Sequence, residues 1–298
     1  MSSDPGAFRE DHLPIQGYRF FWKSIGDDGP NGTVVTLHGG PGASHDYLLA
    51  FADLARLGYR VVFYDQLGCG STDRAKDDRE YSVERDVADL DALRTGLGLG
   101  KVHVLGSSYG GMLALAYAIA HPEGVRSLVI ASGLASVPLA QSEMERLCRE
   151  LPPPFPAFLE KHAARGEFRH PEYLAAAELF YRRHVCRLDP WPPELVRTLE
   201  LMEGGPKYRY MNGPNEFTIT GTTRDFDLTA RLGEIRVPTL VTVGKYDEVT
   251  PKVARAIRDG VAGAELSEFS ESSHTAFWEE RDRYMERVGA FLRSVPAG

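Results

Sequence analysis

Lys101-Val102-His103-Val104-Leu105-Gly106-Ser107-Ser108-Tyr109-Gly110-Gly111-Met112-Leu113-Ala114-Leu115-Ala116-Tyr117-Ala118-Ile119-Ala120 is the stretch on which the fold turns. Its first five residues form a β-rich run and predict a strand, whereas Met112 to Ala120 is an unbroken apolar run that predicts a buried helix. Only Gly106-Ser107-Ser108-Tyr109-Gly110 is left to join them. A turn that tight tolerates only small residues at its flanks, which Gly106 and Gly110 supply. A G-x-S-x-G run between strand and helix is a nucleophile elbow: it lifts the Ser108 hydroxyl above a sheet edge, with the positive end of a helix behind it.

Further strand-like runs lie on either side: Thr33 to Leu37, Arg60 to Tyr64, Ser127 to Ile130, Thr239 to Val243 and Ala264 to Phe269. All of these except Ala264 to Phe269 are β-branched runs of the kind that suits strands covered on both faces. Helix patterns fall between them. One is the stripe Leu48, Leu49, Phe51, Ala52 and Ala55 that stops at Gly58; another is Val83, Val87, Leu90 and Leu93 behind Ser82 as N-cap. Thr250 and Pro251 open a helix that ends at Gly260, and Tyr284, Val288, Phe291 and Leu292 share one face of a C-terminal helix. Alternation of this kind predicts an α/β fold with a mostly parallel sheet. Tyr18 to Ile25, after a turn at Pro14-Ile15-Gln16-Gly17, is expected as an antiparallel edge strand.

Between about Ser136 and Gly233 the strand runs stop, and 11 of the 19 prolines gather there. Helical patterns at 143–150, 172–185 and 194–203 suggest an insertion over the carboxyl edge of the sheet, where ligands bind in open α/β sheets. The expected division is a core at 1–135, a helical cap domain at 136–233 and the rest of the core at 234–298.

A serine hydroxyl needs a base, and the base needs an orienting acid. Of nine histidines, His103 lies within a strand run and His121 ends a helix, while His162, His170 and His184 are expected on the surface of the insertion. His274 follows the last strand run in a polar loop before the C-terminal helix, which suits a base. Asp247 follows the strand Thr239 to Val243, although a carboxylate there could equally cap the Pro251 helix. The order Ser108, Asp247, His274 is that of a hydrolase triad. For the oxyanion, the backbone N–H groups of Gly40, in His38-Gly39-Gly40-Pro41-Gly42, and of Tyr109 are the candidate donors.

Composition narrows the class. Against 42 acidic residues stand 34 basic ones, a net charge of −8 that argues against a nucleic-acid partner. The longest apolar run is far shorter than the roughly 18 residues of a membrane span, and the N-terminus has no signal pattern. Three cysteines without paired spacing support neither a disulfide framework nor a zinc site. A cytoplasmic enzyme that needs no metal or organic cofactor is the expectation; oligomeric state is open.

Three blocks, His38-Gly39-Gly40-Pro41-Gly42, Tyr64-Asp65-Gln66-Leu67-Gly68-Cys69-Gly70-Ser71 and Gly106-Ser107-Ser108-Tyr109-Gly110-Gly111, resemble those of the α/β-hydrolase superfamily and its proline iminopeptidase family. Met211-Asn212-Gly213-Pro214-Asn215-Glu216-Phe217 and Tyr246-Asp247-Glu248-Val249-Thr250-Pro251 are similar to blocks of the aminopeptidases associated with the tricorn protease. The resemblance implies an α/β-hydrolase fold with a helical cap, and release of an N-terminal amino acid, proline or another small or hydrophobic residue, from short peptides. It also implies that Glu216 and Glu248 hold the substrate ammonium with help from Tyr208. Leu67, Thr72 and Lys245 depart from the family pattern, and a cation at Lys245 would oppose an ammonium site unless it points outward. Cys69 reads as a packing residue. The alternatives are an amino-acid amidase or carboxylesterase of the same fold and, outside enzymes, a small-molecule receptor built on it.

Overall fold

In the computed structural model, which describes residues 6–296 apart from 28, 30 and 204, eight strands form one sheet in the order β1-β2-β4-β3-β5-β6-β7-β8. They are β1 (Arg9–Ile15), β2 (Tyr18–Ile25), β3 (Thr33–Leu37), β4 (Arg60–Tyr64), β5 (Val102–Ser107), β6 (Val125–Ala131), β7 (Thr239–Gly244) and β8 (Glu265–Phe269). From β4 across to β8 the pairing is parallel, and β2 runs antiparallel to both β1 and β4.

The edge differs from expectation. Pro14 and Ile15 are paired with Arg19 and Tyr18 inside a hairpin, so only Gln16 and Gly17, both at positive φ, make the turn. The edge strand is β1, and β2 lies inside it. Its exposed Arg9, Glu10 and Asp11 blunt an otherwise open edge, as charged residues do on terminal strands.

The central strands are buried on both faces because successive side chains alternate between two apolar layers. Val35, Val62, Val104, Ile130 and Val241 point into one core, while Val34, Val61, Leu105, Val129 and Leu240 point into the other. Helices α1 (Val83–Gly96) and α2 (Tyr109–Ala120) cover the first face. A 3-10 helix at Asp46–Leu57, closed by Gly58 at φ 84°, covers the second. Between β6 and β7 the chain leaves the sheet for α3 (Val137–Arg149), α4 (Phe155–Ala163), α5 (Pro171–His184), α6 (Pro193–Glu203) and α7 (Pro206–Met211). The two ends of this excursion are tied together: Val137 N–H donates to Phe226 O (2.9 Å) and Leu228 N–H to Ala135 O (2.8 Å). The chain returns through β7, α8 (Pro251–Gly260) and β8, and ends in α9 (Ala276–Glu279) and α10 (Arg281–Ser294). The loops after β3, β5, β7 and β8 therefore all emerge at the carboxyl edge of the parallel strands, beside the helical excursion.

Candidate active site

Ser108 occupies the elbow between β5 and α2 at φ 57° and ψ −124°. A non-glycine residue there carries about 1–3 kcal/mol of backbone strain, and the surroundings hold it in place. Ser108 N–H donates to Ala131 O (3.0 Å), and its carbonyl accepts from Gly111 N–H (2.8 Å). A Cβ on Gly106 would stand 2.0 Å from Gly110 O, and one on Gly110 would stand 2.0 Å from Leu37 O, so neither flank admits a side chain.

The loop after β3 lies directly against this turn. Gly39 N–H donates to the Tyr47 hydroxyl (2.8 Å), and His38 is clamped at both ends by Gln66, whose N–H donates to His38 Nε2 (3.0 Å) and whose side-chain amide donates to His38 O (2.8 Å). Burial lowers the His38 pKa to about 4, which keeps Nε2 unprotonated as the acceptor this clamp needs. Gly40 and Ser108 line both of two adjoining cavities, one of about 580 Å³ and one of about 430 Å³. The Tyr109 amide belongs to the first residue of α2 and has no helical acceptor by position. Tyr109 lines the smaller cavity.

His274 lines the larger cavity. Its Nδ1–H donates to Asp247 Oδ1 (2.7 Å), and its Nε2 faces Glu248 Oε1 at 3.8 Å. Asp247 Oδ1 also accepts from Val249 N–H (2.8 Å), so the carboxylate orients the imidazole and shapes its own loop at once. Glu216, on the turn after α7, and Glu248 line both cavities. The Tyr208 hydroxyl donates to Glu216 Oε1 (2.7 Å). Glu248 Oε2 is buried and has no hydrogen-bond partner among the described residues.

Charge is concentrated here. Burial pushes the His274 pKa down, but the charge and hydrogen bond of Asp247, with Glu248 and Glu216 beyond it, outweigh burial and hold it up at about 9. Burial raises Glu248 to about 8 against the pull of His274, with Glu216 and Asp247 adding to the rise, and burial likewise raises Glu216. Two carboxylates that share a poorly solvated wall favour a cation between them. A serine at a helix N-terminus, a histidine held by an aspartate, and free amide donors nearby are the parts that acyl transfer requires.

Several organising residues escaped the sequence reading. Lys207, fully buried in α7, donates through Nζ to Asp86 Oδ1 and Oδ2 (2.7 and 2.8 Å) and to Gln66 Oε1 (3.2 Å). Asp86 Oδ2 also accepts from the Tyr109 hydroxyl (2.6 Å). One buried network thus joins the helical excursion to α1, to the elbow and, through Gln66, to the loop after β3. Asp86 falls on the buried face of α1, the one local signal for this pair, and nothing in the sequence points to its partner. His184, expected on the surface, is buried, and its carbonyl accepts from both Glu248 N–H and His274 N–H (3.2 Å each). His162 is also buried rather than exposed, held between Glu167 (2.7 Å) and Glu172 (2.8 Å).

Other expectations resolve simply. Lys245 is exposed, lies over the Tyr246 ring and is not among the residues that line either cavity. Leu67 is buried in the core. Cys69 is buried, which pushes its thiol up to about 12 and leaves it a packing residue. His162, His170 and Glu172 are the one set of metal-ligand type found among the described residues, but Glu172 Oε2 already accepts from Lys161 Nζ (2.9 Å) and His162 Nε2 (2.8 Å). Of the aromatic residues in the excursion, Tyr181 lines the larger cavity, whereas Phe180 packs on Phe217.

Comparison with known proteins identifies the family. The family model of the alpha/beta hydrolase fold matches residues 32–281. The proline iminopeptidase of Saccharolobus solfataricus is 45% identical over 287 residues, covering 96% of this chain and 93% of the relative. The crystal structure of VinJ is similar with a TM-score of 0.94 at 38% identity, covering 98% of this chain and 100% of its own. The crystal structure of the proline iminopeptidase of Mycobacterium smegmatis gives a TM-score of 0.89 at 34% identity, covering 96% and 98% respectively. Agreement of this identity over nearly the full length means that the chain is an enzyme of the α/β-hydrolase superfamily and belongs to its proline iminopeptidase family.

Proposed function

We propose that this enzyme releases an N-terminal amino acid, proline or another small or hydrophobic residue, from short peptides through an acyl-enzyme on Ser108. The observation that carries the reading is the cavity wall shared by Ser108, Glu216 and Glu248, with His274 held by Asp247 beside it. In this reading Ser108 Oγ attacks the carbonyl of the first peptide bond as His274 takes its proton. Asp247 stabilises the imidazolium, and the N–H groups of Gly40 and Tyr109 receive the oxyanion, each donor contributing about 3 kcal/mol. The protonated histidine delivers its proton to the departing nitrogen, and water then cleaves the ester.

An exopeptidase must also tell a free amine from a peptide bond. Glu216, held by Tyr208, and Glu248, with its unpartnered oxygen, are the proposed ammonium acceptors. The smaller cavity, walled by Leu134, Val137, Met144 and Ile219, suits the apolar side chain of the released residue. The helices at 136–233 act as the cap that keeps water from the ammonium site and strengthens its charge pairing. Free thiols at Cys69, Cys148 and Cys186 suit a cytoplasmic enzyme.

N-acetylation of a prolyl anilide tests this directly. The blocked substrate leaves buried Glu248 and half-buried Glu216 without their cation, so kcat/KM is expected to fall on the order of 10²–10³. Glu216→Ala and Glu248→Ala should each weaken turnover of the free amine while barely affecting the acetylated compound. Equal rates on the two anilides would point instead to an amidase or esterase without amine recognition.

A further inference from the structure

The two cavities are not equivalent, and catalytic chemistry assigns them. The nitrogen that leaves must receive its proton from His274, so the departing amine lies on the His274 side of the scissile carbon. His274 and Thr275 line only the larger cavity; Tyr109 and Met112, beneath the elbow, line only the smaller. The larger cavity is therefore the leaving-group side.

Its wall has a definite chemistry. Leu195, Thr198, Leu199 and Met202 recur at the spacing of one helix face and turn that face of α6 toward the cavity, while Arg197 and Glu200 are exposed. Tyr181 and Val185 continue the apolar lining from the end of α5. Thr198 offers little polarity to a ligand, because its hydroxyl oxygen already accepts from Tyr47 N–H (3.2 Å) and bonds Ser44 Oγ (3.0 Å). Among the described residues no lysine or arginine lines the cavity, and the acidic groups on it are Glu216 and Glu248. A carboxylate on the departing residue would lose its water without gaining a lysine or arginine: Glu216 and Glu248 are taken by the substrate's own ammonium, and His274 must be neutral to accept the Ser108 proton.

The geometry points to a narrower substrate class than peptides in general: aminoacyl amides whose amine portion is apolar and carries no carboxylate close to the scissile bond. This rests on the aminopeptidase reading above. The Ser108 Oγ–carbonyl bond forms and the C–N bond breaks with its electron pair on nitrogen. The proton taken from Ser108 reaches that nitrogen through His274. The apolar amine then departs through the larger cavity, and water releases the amino acid from Ser108.

The test uses prolyl-leucinamide, prolyl-aspartamide with its free β-carboxylate, and prolyl-leucine with its free α-carboxylate, beside prolyl anilide. Wild-type kcat/KM for prolyl-leucinamide is expected to exceed that for either carboxylate-bearing substrate by about tenfold or more. Leu199→Arg, which places a cation on the cavity wall, should narrow that gap by about tenfold and leave the preference between prolyl and leucyl anilides unchanged. Equal wild-type rates on the three substrates, with the anilide cleaved, would overturn the inference and leave the aminopeptidase reading standing. So would a Leu199→Arg enzyme whose acyl preference shifts while its leaving-group preference does not. Absence of turnover on every free-amine substrate, the anilide included, would overturn both. Should Leu199→Arg fail to fold, the wild-type series decides alone.

Discussion

At the scale of single residues, His274 is surrounded by negative charge: Asp247 bonds one ring nitrogen, and Glu248 stands 3.8 Å from the other. A base must be neutral to accept a proton, and these carboxylates hold the proposed base protonated well above the ordinary histidine range. In the free enzyme the acidic limb of kcat/KM therefore lies at higher pH than an isolated histidine would give. A bound ammonium offsets Glu216 and Glu248, which lowers the His274 pKa in the complex. The acidic limb of kcat is expected below that of kcat/KM, by about one pH unit if the offset is worth about 1.4 kcal/mol. Glu248→Gln removes the charge nearest Nε2 and should move the kcat/KM limb to lower pH. Profiles measured from pH 5 to 10 check the sign, and a limb that stays still or rises in Glu248→Gln would contradict it.

Among elements, the contact that matters is between α7 and the core. A fully buried lysine is tolerated because Asp86 meets it with both oxygens, and because Gln66 accepts a third hydrogen bond. Removing one partner leaves an uncompensated buried charge. Lys207→Met is therefore expected to cost about 3–5 kcal/mol of stability. Adding Asp86→Leu should recover part of that loss, since no carboxylate is then stranded, although the Tyr109 hydroxyl loses its acceptor. Urea unfolding of the two variants beside wild type measures both effects; a loss below about 1 kcal/mol in the single variant would mean that the pair is not desolvated as described. The neighbouring Tyr208 and Tyr109 tie this same contact to the proposed ammonium and oxyanion sites.

For the molecule as a whole, what could be read in advance follows from where the information sits. The parallel strands were legible because Val34, Val35, Val61, Val62, Val104 and Val241 fill two layers with continuous β-branched runs. Strand β1 was not, since its Arg9-Glu10-Asp11 start is polar and Pro14 reads as a turn, features an edge strand accommodates without an apolar pattern. Helices α4 and α7 begin in proline-bearing segments and are short, which hid their periodicity. Ser108 was legible because a strand, a turn and a helix adjoin in the chain around it. The meeting of Asp247 and His274 could be expected because each follows a strand at the same sheet edge. Glu216 came only through resemblance, and the Lys207–Asp86 pair, 121 residues apart, leaves no local pattern at all. His162 and His184 were misplaced because a histidine in a polar helical stretch gives no sign of the carboxylates or backbone that bury it.

All of this converges on one hydroxyl group. Turnover of prolyl anilide by Ser108→Ala, compared with wild type at equal folded concentration, should fall by about 10⁴-fold or more, with circular dichroism unchanged. A folded Ser108→Ala enzyme that keeps turnover within about tenfold of wild type would contradict an acyl-enzyme at this elbow.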